Sequence, residues 1–191
     1  PDDDVLDVAC GTGDLAEAFS DARPRSVLGV DFTPEMLRLA AAKAQRRRRQ
    51  GRPMPLYRSG DATDLALADC SFNIVSIAFG IRNVNDPRKA LREFARVLRG
   101  GGRLVIVEFS RPRNTIIARL NDLYMRRVMP LTATIISGDR SGAYRYLPRS
   151  IDTFEGPEAL AAEITDAGLE MATQERRTLG VCTISVARKP R

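Results

Sequence analysis

Gly11, Gly13 and Ala16 reproduce the spacing G-x-G-x-x-G/A directly after the apolar run Val5-Leu6-Asp7-Val8. Two glycines in such a turn leave bare backbone that a ligand can approach closely. Asp31 lies 18 positions after Gly13, at the end of a second apolar run, where a carboxylate can accept both hydroxyls of a ribose. The pattern points to a cofactor that contains adenosine. The glycines alone do not choose which one, and a purely structural tight turn would satisfy the same spacing.

An absence narrows the chemistry further, because the chain contains no histidine. A Ser-His-Asp triad, a Cys-His pair, a His-ligated zinc and a His general base are all excluded. Cys10, Cys70 and Cys182 are far apart and form no C-x-x-C, so three reduced thiols and no metal site are expected. No apolar run approaches the roughly 18 residues that cross a bilayer, and the start Pro1-Asp2-Asp3-Asp4 does not resemble a secretory signal. A soluble, cytoplasmic protein is expected.

The 191 residues are 43% hydrophobic and 28% charged, which suits one domain over 1–191 with a core large enough to need no disulfide or metal staple. The net charge of +6 could draw nucleic acid. Lys43, Lys89 and Lys189 are the only lysines, leaving 27 of the 30 cations as Arg, and the one dense run, Arg46 to Arg49 with Arg52, follows an Ala-rich helical stretch. Arginines there complement a helix C-terminus, so the run reads as a solvated helix end and nucleic acid is not expected as a partner.

These residues need a scaffold, and the patterning supplies strand-like and helix-like segments in alternation. Strands are expected at Val5 to Val8, Val27 to Val30, Leu56 to Ser59, Ile74 to Phe79 and Leu104 to Phe109. Helices are expected at Asp14 to Ser20, from Pro34 toward Gln50, and at Pro87 to Leu98, the last stopped by Gly100, Gly101 and Gly102. Repetition of strand, helix and strand implies a parallel sheet covered on both faces. From Asn114 to Ile136 the pattern is helical without an intervening strand, and with the loop Gly138 to Ser150 it makes an insertion over 114–150. Pro157 to Ala167 reads as a helix, and the runs Leu169 to Thr178 and Val181 to Ala187 must pair antiparallel across their short joint. The expected fold is α/β: a Rossmann-like, doubly wound, mostly parallel sheet with an antiparallel C-terminal strand and a helical insertion after strand five.

The stretch Val5-Leu6-Asp7-Val8-Ala9-Cys10-Gly11-Thr12-Gly13 resembles the first motif of the class I S-adenosylmethionine-dependent methyltransferases. That resemblance implies Asp31 as the ribose ligand and Gly60-Asp61-Ala62 as the turn on the adenine side, with Asp61 accepting the adenine amino proton. It further implies that Thr12 and the backbone of Gly11 and Gly13 line the methionine portion while Asp7 helps hold its cationic end. A sulfonium and an ammonium suit acidic surroundings that would repel a pyrophosphate. An NAD-dependent oxidoreductase also fits the glycines, but it would usually bring a substrate domain or a Tyr-Lys pair for which this chain has little room.

Three further signatures are similar to those of the ubiquinone/menaquinone biosynthesis C-methyltransferases. They are Phe79-Gly80-Ile81-Arg82-Asn83-Val84 with Asp86, then Glu108-Phe109-Ser110-x-Pro112, then Tyr144-x-Tyr146-Leu147-Pro148-x-Ser150-Ile151. Ala78 stands where some members place a cofactor-touching Ser, and the family segment ahead of strand one lies outside this sequence. The resemblance implies methylation of a ring carbon of a prenylated hydroquinone, a demethylmenaquinol or a ubiquinol precursor. Such chemistry suits a chain without histidine, because an ionised phenol activates its own ortho carbon.

On this reading Arg82 stabilises the phenolate and Asn83 positions it, the alternative being that Arg82 merely pairs with Asp86. Tyr144, Arg145 and Tyr146 are expected to cover the quinol ring, the alternative being ordinary loop packing. The apolar stretch from Ile116 to Ile136, interspersed with Arg119, Arg126 and Arg127, suits a prenyl groove or peripheral contact at the inner face of the cell membrane, or a plain buried face. A nucleic-acid methyltransferase would need an N-P-P-Y-like motif or a stacking surface, and neither is present. Ring type, prenyl length and oligomeric state, a homodimer included, stay open.

Overall fold

The central strands of the sheet form where short apolar runs are bounded by glycine, proline or polar residues, while the edge strands are largely polar. The computed structural model describes residues 2–124, 150, 154 and 156–191. In chain order it contains β1 (Asp4–Val8), α1 (Asp14–Asp21), β2 (Ser26–Asp31), α2 (Pro34–Arg49), β3 (Leu56–Ser59), β4 (Phe72–Ala78), α3 (Pro87–Val97), β5 (Leu98–Phe109) and α4 (Thr115–Leu123). These are followed by α5 (Pro157–Asp166), β6 (Glu170–Arg177) and β7 (Cys182–Arg188). The sheet order is β3-β2-β1-β4-β5-β7-β6. β7 alone runs against its neighbours, pairing antiparallel with both β5 and β6.

Both faces of the sheet are covered, which is why the central strands read as unbroken apolar runs rather than alternating ones. On one face Leu6, Val75, Ile77, Leu104 and Ile106 pack with Ala90, Leu91, Phe94 and Val97 of α3 and with Leu160 and Ile164 of α5. On the other, Val5 and Val27 pack with Ala16 of α1 and with Phe19, Tyr57 and Ile74. α3 starts where Asp86 accepts a hydrogen bond from the Lys89 amide at 2.9 Å and Pro87 occupies the first turn.

The expected elements form, with three differences. β5 begins at Leu98 rather than Leu104, because Leu98 already pairs with Phe72, and the chain then skips from Leu98 to Arg103 against Phe72 and Ile74. The three glycines therefore lie in an irregular stretch of strand that also ends the helix. β4 stops at Ala78, and Phe79 leaves it in the left-handed region at φ 54°. At the end of α2, Arg47 is buried, bound to Asp21 and the Pro53 carbonyl, so the arginine run is not wholly a solvated end. Of the insertion only α4 and Ser150 fall within the described residues.

Candidate active site at the cofactor cavity

β1 is flanked by β2 on one side and β4 on the other, so the chain winds away from β1 in both directions and a crevice opens at the strands' carboxyl ends. A cavity of about 570 Å³ lies there, within the range of small-molecule sites. The turns after β1 and β4 approach so closely that a Cβ on Gly80 would stand 2.7 Å from the Ala9 Cβ. The floor is the β1 turn, where Gly11 takes φ 54° with open space on its Cβ side. Gly13, at φ 84°, packs against Tyr57, whose hydroxyl donates to the Gly13 carbonyl at 3.3 Å.

Asp31 ends β2 and faces this floor, its Oδ2 accepting from the Gly11 amide at 2.7 Å and its Oδ1 from the Thr33 amide at 2.8 Å. The Gly60 amide donates to the Asp31 carbonyl at 3.1 Å, joining the β3 turn to the same corner. In that turn Asp61 accepts from the Thr63 amide at 2.8 Å and from the Thr63 hydroxyl at 2.9 Å, and these bonds hold its carboxyl below the ordinary range. Phe32, Met36, Thr33 and Ala62 complete that side, and Phe79, Gly80, Asn83, Val84 and Asn85 form the opposite wall. Asp31 and Asp61 are acidic, and among the described residues none that lines the cavity is basic.

Behind the floor, Asp7 is 1% exposed. The Ser76 hydroxyl donates to its Oδ1 at 2.8 Å, while Oδ2 has no partner among the described residues. Burial pushes its carboxyl up to about 7, against the opposing pull of the Ser76 bond and of the Ala16 backbone amide. Cys10, in the same turn, is pushed up to about 12 by burial and by the negative charge of Asp7 and Asp31, so it stays a neutral thiol.

Comparison with known proteins places this geometry. The model of the ubiE/COQ5 methyltransferase family matches residues 1–189. The chain belongs to that family. It is 43% identical over 187 residues to a demethylmenaquinone methyltransferase of Thermus thermophilus, covering 97% of this chain and 82% of that protein. It is 37% identical over 191 residues to a ubiquinone/menaquinone biosynthesis C-methyltransferase of Geotalea daltonii, covering 99% of this chain and 80% of that one. A solved SAM-dependent methyltransferase from Methanosarcina mazei shares the fold with a TM-score of 0.67 at 22% identity, covering 99% of this chain and 93% of that one.

This chain is thus an S-adenosylmethionine-dependent methyltransferase, and its site fits that group. An acidic lining with a partnerless buried carboxylate oxygen at Asp7 suits a cofactor carrying two positive centres and would repel a pyrophosphate. Asp31, Asp61 and Ala62 all line the cavity that such a cofactor would enter.

The sequence-predicted residues divide between the wall and what lies behind it. Gly11, Asp31, Asp61, Ala62 and Asn83 line the cavity of this methyltransferase, while Asp7, Thr12, Gly13, Ala78 and Arg82 are outside its lining. The Thr12 hydroxyl donates to Asp14 at 2.7 Å. Arg82 does not pair with Asp86, which is occupied in capping α3; its guanidinium instead pairs with Glu108 at 2.6 Å. Tyr144, Arg145 and Tyr146 lie outside the described residues.

Sequence reasoning missed Phe32, Met36 and Tyr57. The first two are exposed apolar residues next to, and about one helical turn beyond, the Asp31 carboxylate. Their position after the acidic residue was the available signal, yet apolar side chains at a helix start read equally well as core.

Proposed function

We propose that this methyltransferase acts on a ring carbon of a prenylated hydroquinone, a demethylmenaquinol or a ubiquinol precursor. The observation that carries the reading is the cavity whose described lining is acidic and bounded by the Phe79–Asn85 wall, with the Arg82 guanidinium held behind that wall. The demethylmenaquinone methyltransferase of Thermus and the ubiquinone/menaquinone biosynthesis C-methyltransferase of Geotalea support the substrate class.

When bound, S-adenosylmethionine supplies an electrophilic methyl, which an ionised hydroquinone accepts at the carbon beside its oxygen. Asn83 borders the cavity, where it would orient the ring hydroxyl. Arg82, paired with Glu108 at 2.6 Å and with a side-chain exposure of 7%, would stabilise the ring oxygen as a charge-assisted hydrogen-bond donor. Asp31, on the cavity lining, would hold the ribose end of the cofactor, and Asp7, behind the floor, would act on its cationic end through charge alone. Fixing reactants in line at about 3 to 3.5 Å supplies several kcal/mol of the barrier without any histidine. Tyr144, Arg145 and Tyr146 are proposed to cover the ring.

A prenyl tail keeps such a substrate in a bilayer, and peripheral contact with a membrane is part of the proposal. On α4, Ile116, Leu120 and Leu123, with Tyr124 just after its end, are exposed at positions that share one helical side, with Arg119 between them. No helix among the described residues is long and apolar enough to cross a membrane.

The test supplies a prenylated demethylmenaquinol or ubiquinol precursor with labelled cofactor and locates the label by mass spectrometry. Label on a ring carbon of the reduced substrate, with the oxidised quinone inert for want of a phenolate, is the expected result. An O-methyl ether would overturn the C-methylation reading, and label entering only nuclease-sensitive material would overturn the substrate class.

A further inference from the structure

Along β5 the residues Leu104, Ile106 and Glu108 share one buried row, so a carboxylate stands where the strand pattern asks for a third apolar side chain. Its side chain is 3% exposed. Such a group is tolerated only when it is charge-paired or hydrogen-bonded. Glu108 Oε1 accepts from Arg82 Nη1 at 2.6 Å and from the Phe109 amide at 2.7 Å, and Oε2 accepts from the Arg82 amide at 3.4 Å. One carboxylate thus grips both the backbone and the side chain of Arg82.

The guanidinium is held on its other sides as well. Nη1 also donates to the Phe79 carbonyl at 2.6 Å, Nε donates to the Ser150 hydroxyl at 3.2 Å, and the cation lies 5.1 Å from the centre of the Phe109 ring. That ring in turn stacks on Phe79 at 4.5 Å. Nη2 has no acceptor among the described residues. Phe79 belongs to the cavity wall and keeps a left-handed φ of 54°, a conformation that persists only where surrounding contacts impose it.

Stability does not account for this arrangement. A buried ion pair seldom outperforms apolar residues of the same volume, and here the row of Leu104 and Ile106 offers such packing already. The pair does fix a direction. It keeps a buried guanidinium charged, anchors the left-handed turn of the wall, and leaves a single nitrogen uncommitted. A charge-assisted hydrogen bond is strong only when its donor is held on axis, and a misplacement of about 1 Å is enough to cost roughly a hundredfold in rate.

We propose that Glu108 is a positioning residue for methyl transfer, acting through Arg82 to hold the guanidinium and the Phe79 turn in the geometry the reacting ring requires. The inference rests on the role given to Arg82 in the proposed function. Glu108 touches neither the cavity nor the cofactor ends, so its effect falls on turnover and not on cofactor affinity.

A double-mutant cycle on the full chain tests it, with kcat measured at saturating cofactor, the cofactor Kd by titration, and folding by thermal melting. R82Q and E108Q are each expected to lower kcat by about ten- to a hundredfold with Kd within about twofold of the parent. R82Q/E108Q, which leaves no unpaired buried charge, is expected to be no slower than R82Q alone. E108D, charged but one methylene shorter, should fall between the parent and E108Q.

Parent-like kcat in E108Q with R82Q slow would overturn the proposal. So would a double variant slowed by the product of the two single effects, since Glu108 would then act independently of Arg82. If E108Q fails to fold, the double variant and E108D decide by the same comparison. A parent that methylates no hydroquinone defeats the proposed function itself, and R82Q with parent turnover defeats the role of Arg82. These outcomes are distinct from a failure confined to Glu108.

Discussion

Asp7 is a single buried carboxyl that makes the stability of the fold depend on pH. A carboxyl raised to about 7 binds its proton in the folded chain over a pH range in which the unfolded chain has already lost it. Stability therefore falls as pH rises from about 4 to about 7 and is level above that, the reverse of an acid held low by a salt bridge. The cost reaches a few kcal/mol at pH 8, because Oδ2 must then carry charge without a partner. Asp7→Asn is expected to raise the melting temperature of the cofactor-free protein at pH 8, with the gain shrinking toward pH 4. The same substitution should weaken cofactor binding, and parent binding should itself weaken below pH 7 as Asp7 takes up its proton. Melts and titrations at pH 5 and pH 8 check both. A melting gain that does not change with pH would show that Asp7 is not titrating in this range.

At the scale of elements, local sequence carried the strands and helices because their signals are local: apolar runs of four to seven residues, Pro34, Pro87 and Pro157 at helix starts, and Gly168 after α5. It failed where one segment serves two purposes. Gly100 to Gly102 announce a helix stop, but nothing nearby announces that Leu98 is already pairing with Phe72, 26 positions earlier. The partner of Arg82 escaped for the same reason. Asp86 is four positions away and acidic, whereas Glu108 is 26 positions away and is brought close only by β4 pairing with β5. The two roles give Asp86 and Glu108 opposite signatures. Asp86→Ala removes the cap of α3 and is expected to cost about 1 kcal/mol, or roughly 2 to 4 °C of melting temperature, with turnover retained. Asp86→Asn, which still accepts from the Lys89 amide, should cost almost nothing. Thermal melting beside a turnover assay separates this from a pairing with Arg82, which would make Asp86→Asn slow.

For the whole molecule, the α/β class and the antiparallel end of the sheet were legible from the alternation of elements, but the order β3-β2-β1-β4-β5-β7-β6 was not. Strand order is what brings Gly11, Asp31, Asp61 and Asn83, spread over more than seventy residues, around one cavity. The charge of that cavity separates the two cofactors that the glycine spacing allowed. A dinucleotide needs its pyrophosphate met by donors or cations. Among the described residues the lining offers Asp31 and Asp61 and no basic group. A sulfonium and an ammonium gain from the same field. S-adenosylmethionine or its demethylated product at about a hundred times its Kd should stabilise the protein by about 2.7 kcal/mol, raising the melting temperature by roughly 5 to 10 °C. NAD at equal concentration should give no shift. Asp31→Ala should abolish the S-adenosylmethionine shift, since that carboxylate both braces the Gly11 turn at 2.7 Å and stands where the ribose would bind. Because the substitution also releases the turn, its unliganded melt must be compared with the parent's, and the quantity that counts is the difference with and without ligand. A shift produced by NAD and by neither sulfur nucleoside would mean that the charge of the cavity does not govern what it binds.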